Sequence, residues 1–273
     1  MTRTSSAPIA LGGSLACIFS VILFAEPAGA APPLVDRGIT LPRHDWAFDF
    51  GLGIGHAETL PDPVLRSTGV GLNVEGAVAV TEHLELGLRT GIRLGDDGRF
   101  TRADAYGRLF DRQTFGTYTD TVADPEFRIR GALVHGPIVE LALEGRASLP
   151  IERNSYFGMM FGIPLMFHLG HRVRLDTGIF VPVVFEPRTA SAISAPLDVW
   201  IQATNRLWLG PMTGVGVRTA PGNSDVAVSL GFGLGYSITR IIDFKAMFLF
   251  PRINQSEGAR NFGTGAGVQI RIE

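Results

Sequence analysis

The chain has 273 residues, of which 24 are Lys or Arg and 26 are Asp or Glu, so its formal net charge is −2 at pH 7. This balance gives no electrostatic reason to expect nucleic acid as a partner, and none is predicted. Glycine is abundant, at 34 residues, but the hydrophobic content of 45% is ordinary for a soluble protein and argues against a bundle of membrane-spanning helices.

The first 30 residues have the pattern of a secretory signal peptide. Arg3 supplies a positive charge, an apolar stretch runs from about residue 9 to residue 25, and residues 28–30 (AGA) offer small side chains for cleavage. We therefore expect residues 1–30 to be a cleaved signal peptide; the alternative is a membrane anchor. Cys17, the only cysteine of the sequence, lies in this stretch, so the exported chain is expected to contain no disulfide.

The remaining sequence is divided into a short segment and one domain. We expect residues 31–44 to form a short periplasmic N-terminal segment and residues 45–273 to form an outer-membrane β-barrel. No stretch of 18 or more apolar residues occurs after residue 30, which excludes a membrane-spanning helix there. A closed barrel is the other structure that can span a bilayer, and its strands need only about 9–11 residues each.

Alternation between apolar and polar residues predicts the strands. In residues 84–94 (LELGLRTGIRL) every even position is aliphatic or Thr, and every odd position is Gly or charged. A period of two residues is typical of a strand with two different faces. The same alternation recurs and predicts twelve strands, at about residues 45–55, 69–80, 84–94, 126–134, 138–149, 157–168, 173–185, 193–204, 207–218, 226–238, 241–250 and 262–272.

The connections between these strands alternate in length. They are tight after every even-numbered strand and longer after every odd-numbered one, the longest being residues 95–125. Short periplasmic turns and long extracellular loops are the pattern of outer-membrane barrels. The predicted fold class is therefore all-β, a single transmembrane antiparallel up-and-down barrel of about twelve strands. Ten or fourteen strands stay open as alternatives if a hairpin has been merged or split.

Charged residues are confined to one face of the predicted strands. A charge on a lipid-facing position costs roughly 2–4 kcal/mol at the bilayer midplane, so a lipid-facing exterior demands this segregation. The predicted lumen-lining residues are Glu75, Glu85, Arg89, Arg93, Arg128, Arg130, Glu140, Glu144, Arg146, Arg174, Asp176, Asp198, Asp243, Lys245 and Arg271. The predicted lipid-facing residues are Leu84, Leu86, Leu88, Ile92, Val139, Leu141, Leu143, Leu175, Ile179 and Phe248.

A soluble β-sandwich or lipocalin-like barrel is the alternative to a membrane barrel. In such a fold the apolar face points inward and the charged face meets water. Two features favour the membrane barrel. The polar face is rich in Gly and Arg and carries a single Lys, Lys245, and the aromatic residues of the apolar face lie towards the strand ends, as in an interfacial girdle.

The predicted lumen carries a ladder of basic residues. Arg89 and Arg93 on the third strand stand beside Arg128 and Arg130 on the fourth, with further charges of both signs on the fifth strand. Two interpretations are open: a pore constriction with a transverse field that orders charged solutes, or a salt-bridged plug that holds the barrel rigid.

No catalytic, metal or cofactor site is predicted. A lipid-active barrel enzyme needs a Ser/His-type site facing lipid, and no His or Ser lies on the predicted lipid-facing side of any strand. The carboxylates of residues 95–125 match no EF-hand spacing, so a solvated loop or a constriction folded into the lumen is expected there.

Two prolines on adjacent strands mark a place where the barrel wall is weakened. Pro182 and Pro196 lie on the seventh and eighth strands, and proline cannot donate a hydrogen bond to the ladder. They predict a lateral seam that opens towards the bilayer, with a pair of rim bulges as the alternative.

The whole pattern resembles bacterial outer-membrane β-barrels of the porin and transporter class. Residues 143–152 (LEGRASLPIE) and 247–253 (MFLFPRI) are similar to segments of outer-membrane transporters associated with uptake of aromatic compounds. The chain departs from the class at its end, QIRIE, where such barrels commonly have an aromatic residue that helps recognition by the insertion machinery.

This resemblance implies passive transport without naming the solute. The expected location is the bacterial outer membrane, and the expected partners are membrane lipids and lipopolysaccharide, the barrel insertion machinery and an unknown small solute. The function predicted is a passive channel with a charge-lined lumen. A closed-lumen structural barrel is the second hypothesis and a lipid-active enzyme is the third.

Overall fold

The computed structural model describes residues 32–59, 65–94, 122–151, 156–185, 190–220, 223–255 and 258–273. The predicted signal peptide and most of the 95–125 loop lie outside these ranges. The strands are β1 (Trp46–Thr59), β2 (Leu65–Ala79), β3 (Leu84–Leu94), β4 (Val122–His135), β5 (Val139–Ser148), β6 (Gly158–Leu169), β7 (Val173–Val184), β8 (Ala190–Gln202), β9 (Leu207–Ala220), β10 (Asn223–Ser237), β11 (Ile242–Phe250) and β12 (Phe262–Ile272). Two short 3₁₀ turns, Leu34–Asp36 and Gly258–Arg260, complete the described elements.

The twelve strands form one closed barrel in which every strand pairs antiparallel with its neighbours in the sequence. Closure comes from pairing of the first strand with the last, from Trp46 opposite Ile272 to His56 opposite Phe262. The predicted fold class, an antiparallel up-and-down barrel, and the predicted number of strands are confirmed. Because a closed barrel has no free edge, the pairing needs of its strand backbones are met within the wall.

One end of the barrel carries the tight turns, for example residues 80–83 and 170–172, and we call it the short-turn end. There the strands begin and end within one or two residues of the prediction. At the opposite end β1, β2, β4, β8, β9 and β10 are two to four residues longer than predicted. As a result only residues 221–222 separate β9 from β10, where a longer loop was predicted. Backbone pairing continues past the point where the side chains stop alternating, so the sequence pattern gives no sign of it.

The two faces of the barrel wall differ sharply in polarity. Large apolar side chains are exposed on the outside, such as Leu88 at 46% and Ile179 at 55%. Charged side chains are buried on the inside, such as Glu85 at 0% and Arg174 at 0%. The distribution of side chains is thus the reverse of that in a soluble protein, with charged groups inside the barrel and apolar groups on its outer surface. Among the described residues, no helix is long and apolar enough to cross a membrane.

Part of the interior is packed with large apolar side chains. Trp200 and Trp208 lie in a buried cluster completed by Leu34, Met212, Met247 and Leu249. Glycines on β10 make room for the two indoles, since a Cβ added at Gly233 would meet the ring of Trp200 and one at Gly235 would overlap the ring of Trp208. The glycines of this wall therefore act by removing volume next to the tryptophans.

Replacing Gly235 tests this packing. We expect Gly235→Val to destabilise the barrel by about 1–3 kcal/mol, because the new side chain must displace the Trp208 indole. Equilibrium unfolding in urea measures the change. Gly216→Val is the matched control, since a Cβ there meets no atom within 4 Å and the expected loss is smaller. Equal losses for the two variants would contradict the packing role.

Candidate functional site

The structure places the predicted lumen-lining residues on the inner face of the wall. Arg271 is half-buried, and Arg93 belongs to β3 by its backbone while its side chain lies outside the described part of the structure. The other side chains of the set are buried, namely those of Glu75, Glu85, Arg89, Arg128, Arg130, Glu140, Glu144, Arg146, Arg174, Asp176, Asp198, Asp243 and Lys245.

The predicted lipid-facing residues lie on the outer face. Among them Leu84, Val139, Leu141 and Leu175 are half-buried by their neighbours on the outer surface. The remaining side chains of that set are exposed, namely those of Leu86, Leu88, Ile92, Leu143, Ile179 and Phe248.

Ion pairs join the inner faces of β3, β4 and β5. Glu144 accepts hydrogen bonds from Arg130 Nε at 2.6 Å and from Arg146 Nε at 2.7 Å. Glu126 in turn accepts from Arg89 at 2.7 Å and from Arg146 at 3.1 Å. Each carboxylate is thus shared by two guanidinium groups, which is the geometry that compensates the cost of burying charge.

The network continues to β2 through one arginine. Arg128 contacts Glu85 at 2.9 Å and Glu75 at 3.1 Å. Glu126 was absent from the predicted set because it opened the predicted strand. Glu126 precedes Arg128 by two residues and Arg130 by four, and this spacing along a strand places all three side chains on the same inward face.

A second ionic group lies on β7, β8 and β11. Arg174 pairs with Asp176 through two hydrogen bonds of 2.8 and 3.0 Å, and the indole of Trp200 donates to the same carboxylate at 3.1 Å. Across the closure of the barrel, Lys245 contacts Asp49 at 3.1 Å. In both regions of the lumen, acidic and basic side chains therefore lie next to each other on the inner wall.

A segment ahead of β1 fills the lumen at the short-turn end. We call residues 34–41 the plug. Its apolar side chains Leu34, Val35, Ile39 and Leu41 are buried, and the side chain of Ile39 packs against Ala142 and Met166 of the wall. The chain ahead of β1, expected to be a short periplasmic segment, thus turns back into the barrel; its compartment stays a prediction.

Charged wall residues bind the backbone of the plug. Arg174 Nη1 donates to the carbonyl oxygens of Leu34 and Arg37 at 2.9 and 3.1 Å. Arg130 Nη1 donates to the carbonyl oxygen of Ile39 at 3.0 Å. These arginines each contact a carboxylate and the plug together, so the plug is part of the ionic network.

Two wall carboxylates accept hydrogen bonds from the plug. The amide of Ile39 donates to Glu140 at 2.9 Å, and the amide of Leu41 donates to Glu85 at 3.0 Å. The plug backbone therefore supplies donors and acceptors that satisfy buried charges of both signs.

Two histidines meet the same carboxylate beside the plug. His168 Nε2 lies 2.8 Å from Glu140, its Nδ1 lies 2.6 Å from the carbonyl oxygen of Val35, and His135 Nδ1 lies 3.1 Å from Glu140. Both ring nitrogens of His168 therefore lie within hydrogen-bond distance of an oxygen atom, one on the wall and one on the plug.

Arg37 anchors the middle of the plug. Its guanidinium contacts Asp243 at 2.6 Å and lies over the ring of Trp208, 5.2 Å from the centroid. Burial lowers the pKa of Arg37 to about 10, and the charge of Asp243 opposes that shift. Arg37 is thus still charged at neutral pH. Asp243 also contacts Arg271 at 3.1 Å, which places both ends of the barrel chain at this carboxylate.

The pair of prolines predicted to form a lateral seam lies where the β7–β8 ladder is interrupted. Pro182 is buried and Pro196 is half-buried. Pairing passes from Thr177 opposite Leu197 to Phe180 opposite Ser194, and then to Val183 opposite Ser191. Each step skips two positions on each strand; Pro196 lies in the first gap and Pro182 in the second. Fewer hydrogen bonds hold these two strands together than hold a regular antiparallel pair.

An open space remains in the lumen on the far side of the plug from the short-turn end. We call it the lumen cavity. It is floored by Gly51 and Gly53 of β1 and by Gly265 and Gly267 of β12. Its other lining side chains are Asp49, Asn73, Glu75, Arg89, Lys245 and Met247.

The fold is similar to that of solved outer-membrane proteins. An outer membrane channel from Pseudomonas putida F1 matches with a TM-score of 0.59 and 11% identity, over 87% of this chain and 99% of that chain. The NanC porin matches with a TM-score of 0.56 and 8% identity, over 82% of this chain and 100% of that chain. The KdgM porin matches with a TM-score of 0.52 and 6% identity, over 83% and 99%.

No protein-family model matches the chain, and no curated protein matches it by sequence. At these identities the likeness is one of fold. It confirms the predicted resemblance to outer-membrane barrels as a class and assigns no particular family.

Removing one shared carboxylate tests the ionic network. We expect Glu144→Gln to cost about 3–5 kcal/mol of stability, because it leaves Arg130 and Arg146 buried with reduced compensation. The urea midpoint of unfolding measures it. The control is Arg240→Gln, which breaks the exposed pair with Glu273 and is expected to cost at most about 1 kcal/mol. A loss of that small size for both variants would show that the network adds little.

Proposed function

We propose that this chain is a bacterial outer-membrane channel for small solutes and that the plug is its gate. The observation that carries the proposal is an ion-lined lumen with a cavity, occupied at one end by residues 34–41, inside a wall with an apolar exterior. The fold likeness to an outer membrane channel and to two porins supports the same function.

The apolar exterior supports a location in the bilayer. Exposed side chains such as Leu86, Phe161 and Ile193 would present a large oily surface to water, whereas acyl chains accept it without cost. In the orientation typical of such barrels the short-turn end faces the periplasm. The plug would then close the periplasmic mouth, and the lumen cavity would open towards the cell exterior.

The way the plug is held supports a role as a gate. Many of its hydrogen bonds run between peptide groups and charged wall side chains, and water can replace those partners when the segment leaves the lumen. It is joined to the wall by no disulfide, since Cys17 is the only cysteine in the sequence. A segment held in this way can be released without unfolding the wall.

A reversible lock on the plug tests the channel. Ile39 of the plug packs beside Ala142 of β5, so the double variant Ile39→Cys/Ala142→Cys can join them by a disulfide. We expect single-channel conductance in planar bilayers from the wild type, silence from the oxidised variant, and recovery after dithiothreitol. The lock removes current because the plug can no longer move.

A second disulfide controls for cross-linking itself. Ala195 and Val215 face each other on the outer surfaces of β8 and β9, and their cysteine pair should leave the current unchanged. Conductance that persists in the locked plug variant would show that the plug is not the gate. No conductance from the wild type or from the reduced variant would favour a closed-lumen structural barrel.

Charge substitutions on the outside test the membrane location. Ile179→Arg, in the middle of β7, is expected to cost about 2–4 kcal/mol in phospholipid vesicles. Ile138→Arg, in a short turn, should cost only about 0–1 kcal/mol because it lies near the interface. Unfolding in urea gives both values, and equal costs would argue against a bilayer around the mid-strand positions.

A lateral exit is a second candidate route for solutes that pass the cavity. The interrupted ladder beside Pro182 and Pro196 favours it, since parting β7 from β8 breaks fewer hydrogen bonds there. A Phe180→Cys/Ser194→Cys disulfide joins the two strands at a paired position. Uptake of an apolar solute that is unchanged by this disulfide would remove the lateral route.

A further inference from the structure

The lumen cavity exists because two neighbouring strands carry no side chains along it. Gly51 and Gly53 of β1 lie across from Gly267 and Gly265 of β12, and a Cβ added at Gly51 would meet nothing closer than the Ala266 carbonyl oxygen at 4.0 Å. The space along this floor is partly open to solvent, and about 40 Å³ of it admits the centres of water-sized molecules.

Buried polar groups border this space without using all of their hydrogen-bonding capacity. Arg89 is 4% exposed and donates through Nη2 to Glu126, but its Nε and Nη1 have no hydrogen-bond partner among the described residues. Glu75 is equally buried, and its Oε2 also lacks a partner in the described part of the chain. Such groups are costly to leave unpaired, so they call for a partner of matching polarity.

The donor and the acceptor stand side by side. Glu75 on β2 is directly opposite Arg89 on β3 in the strand register. A hydroxyl group can accept from the guanidinium and donate to the carboxylate, which neither a carboxylate nor an ammonium group can do alone.

The charges around the cavity are balanced. Asp49 and Glu75 supply two negative charges, and Arg89 and Lys245 supply two positive ones. An anion drawn to Arg89 would also approach Glu75, and a cation drawn to Glu75 would approach Arg89. The lining therefore favours a ligand without net charge.

We infer that the lumen cavity binds a small uncharged hydroxylated solute, a monosaccharide or polyol. Its hydroxyl groups bridge Arg89 and Glu75, and its carbon skeleton lies on the glycine floor beside Met247. The inference deepens the proposed function, because a solute bound there sits immediately before the plug. On β3 the plug is bound at Glu85 and the cavity begins at Arg89, four residues further along the strand.

Calorimetric titration of the purified full-length barrel with three matched probes tests this site. Glucose, gluconate and glucosamine have related carbon skeletons and are neutral, anionic and cationic. We expect measurable heats with glucose and at least about tenfold weaker binding of the two charged probes, because each places its charge near a wall group of the same sign. Tighter binding of gluconate or glucosamine, or no binding of glucose, would overturn the inference.

Two variants locate the binding in the cavity. Gly51→Leu fills the floor, and Gly216→Leu adds the same side chain elsewhere in the lumen, where a Cβ meets no atom within 4 Å. Glucose binding should weaken about tenfold in the first and stay unchanged in the second. Arg89→Lys keeps the charge opposite Glu126 while removing the guanidinium, and it should weaken binding by a similar factor. Equal affinities in all four proteins would overturn the site.

The titration separates this inference from the proposed channel. Binding to the purified barrel requires no transport, so glucose can bind to a barrel that never conducts. Conversely, a conducting barrel that releases no heat with glucose would keep the channel and remove the solute site.

Discussion

Because the outer surface of the barrel is apolar, the charged side chains of the wall turn inward, where each needs a partner of opposite sign. Shared pairs meet this need: Glu144 lies between Arg130 and Arg146, and Arg128 lies between two carboxylates. Burying one such charge alone would cost several kcal/mol, so the positions of the ions are mutually determined. The narrow lumen of a twelve-stranded barrel makes these contacts possible, since an arginine can reach the next strand or the plug.

The plug depends on the same requirement. Four charged wall residues form hydrogen bonds both with other wall residues and with peptide groups of residues 34–41. They are Glu85, Glu140, Arg130 and Arg174. The plug is therefore bound mainly by its backbone, with Arg37 as its one described charge paired to the wall. Its buried apolar side chains and the Arg37 guanidinium add side-chain contacts to these backbone hydrogen bonds.

The interior has two unlike sides. β2 to β5 carry most of the arginine–carboxylate network, whereas β8, β9 and β11 contribute the indole, thioether and leucine side chains of the apolar cluster. Where the barrel closes, β1 and β12 carry glycines, and the lumen cavity lies between the two sides. Ionic contacts thus dominate one side and apolar packing the other, and space remains along the glycines where the wall carries no side chains.

The sequence by itself determined the strands and their faces, because a period of two residues is a local property that a closed sheet turns into inside and outside. It predicted twelve strands, the inward set from Glu75 to Arg271 and the outward set from Leu84 to Phe248. Only the tertiary structure decided which charges pair, since Asp49 meets Lys245 196 positions away once β1 closes against β12. The sequence likewise did not predict the plug or the cavity. Both depend on how far side chains from several strands extend into one shared lumen, and alternation along a single strand carries no such information.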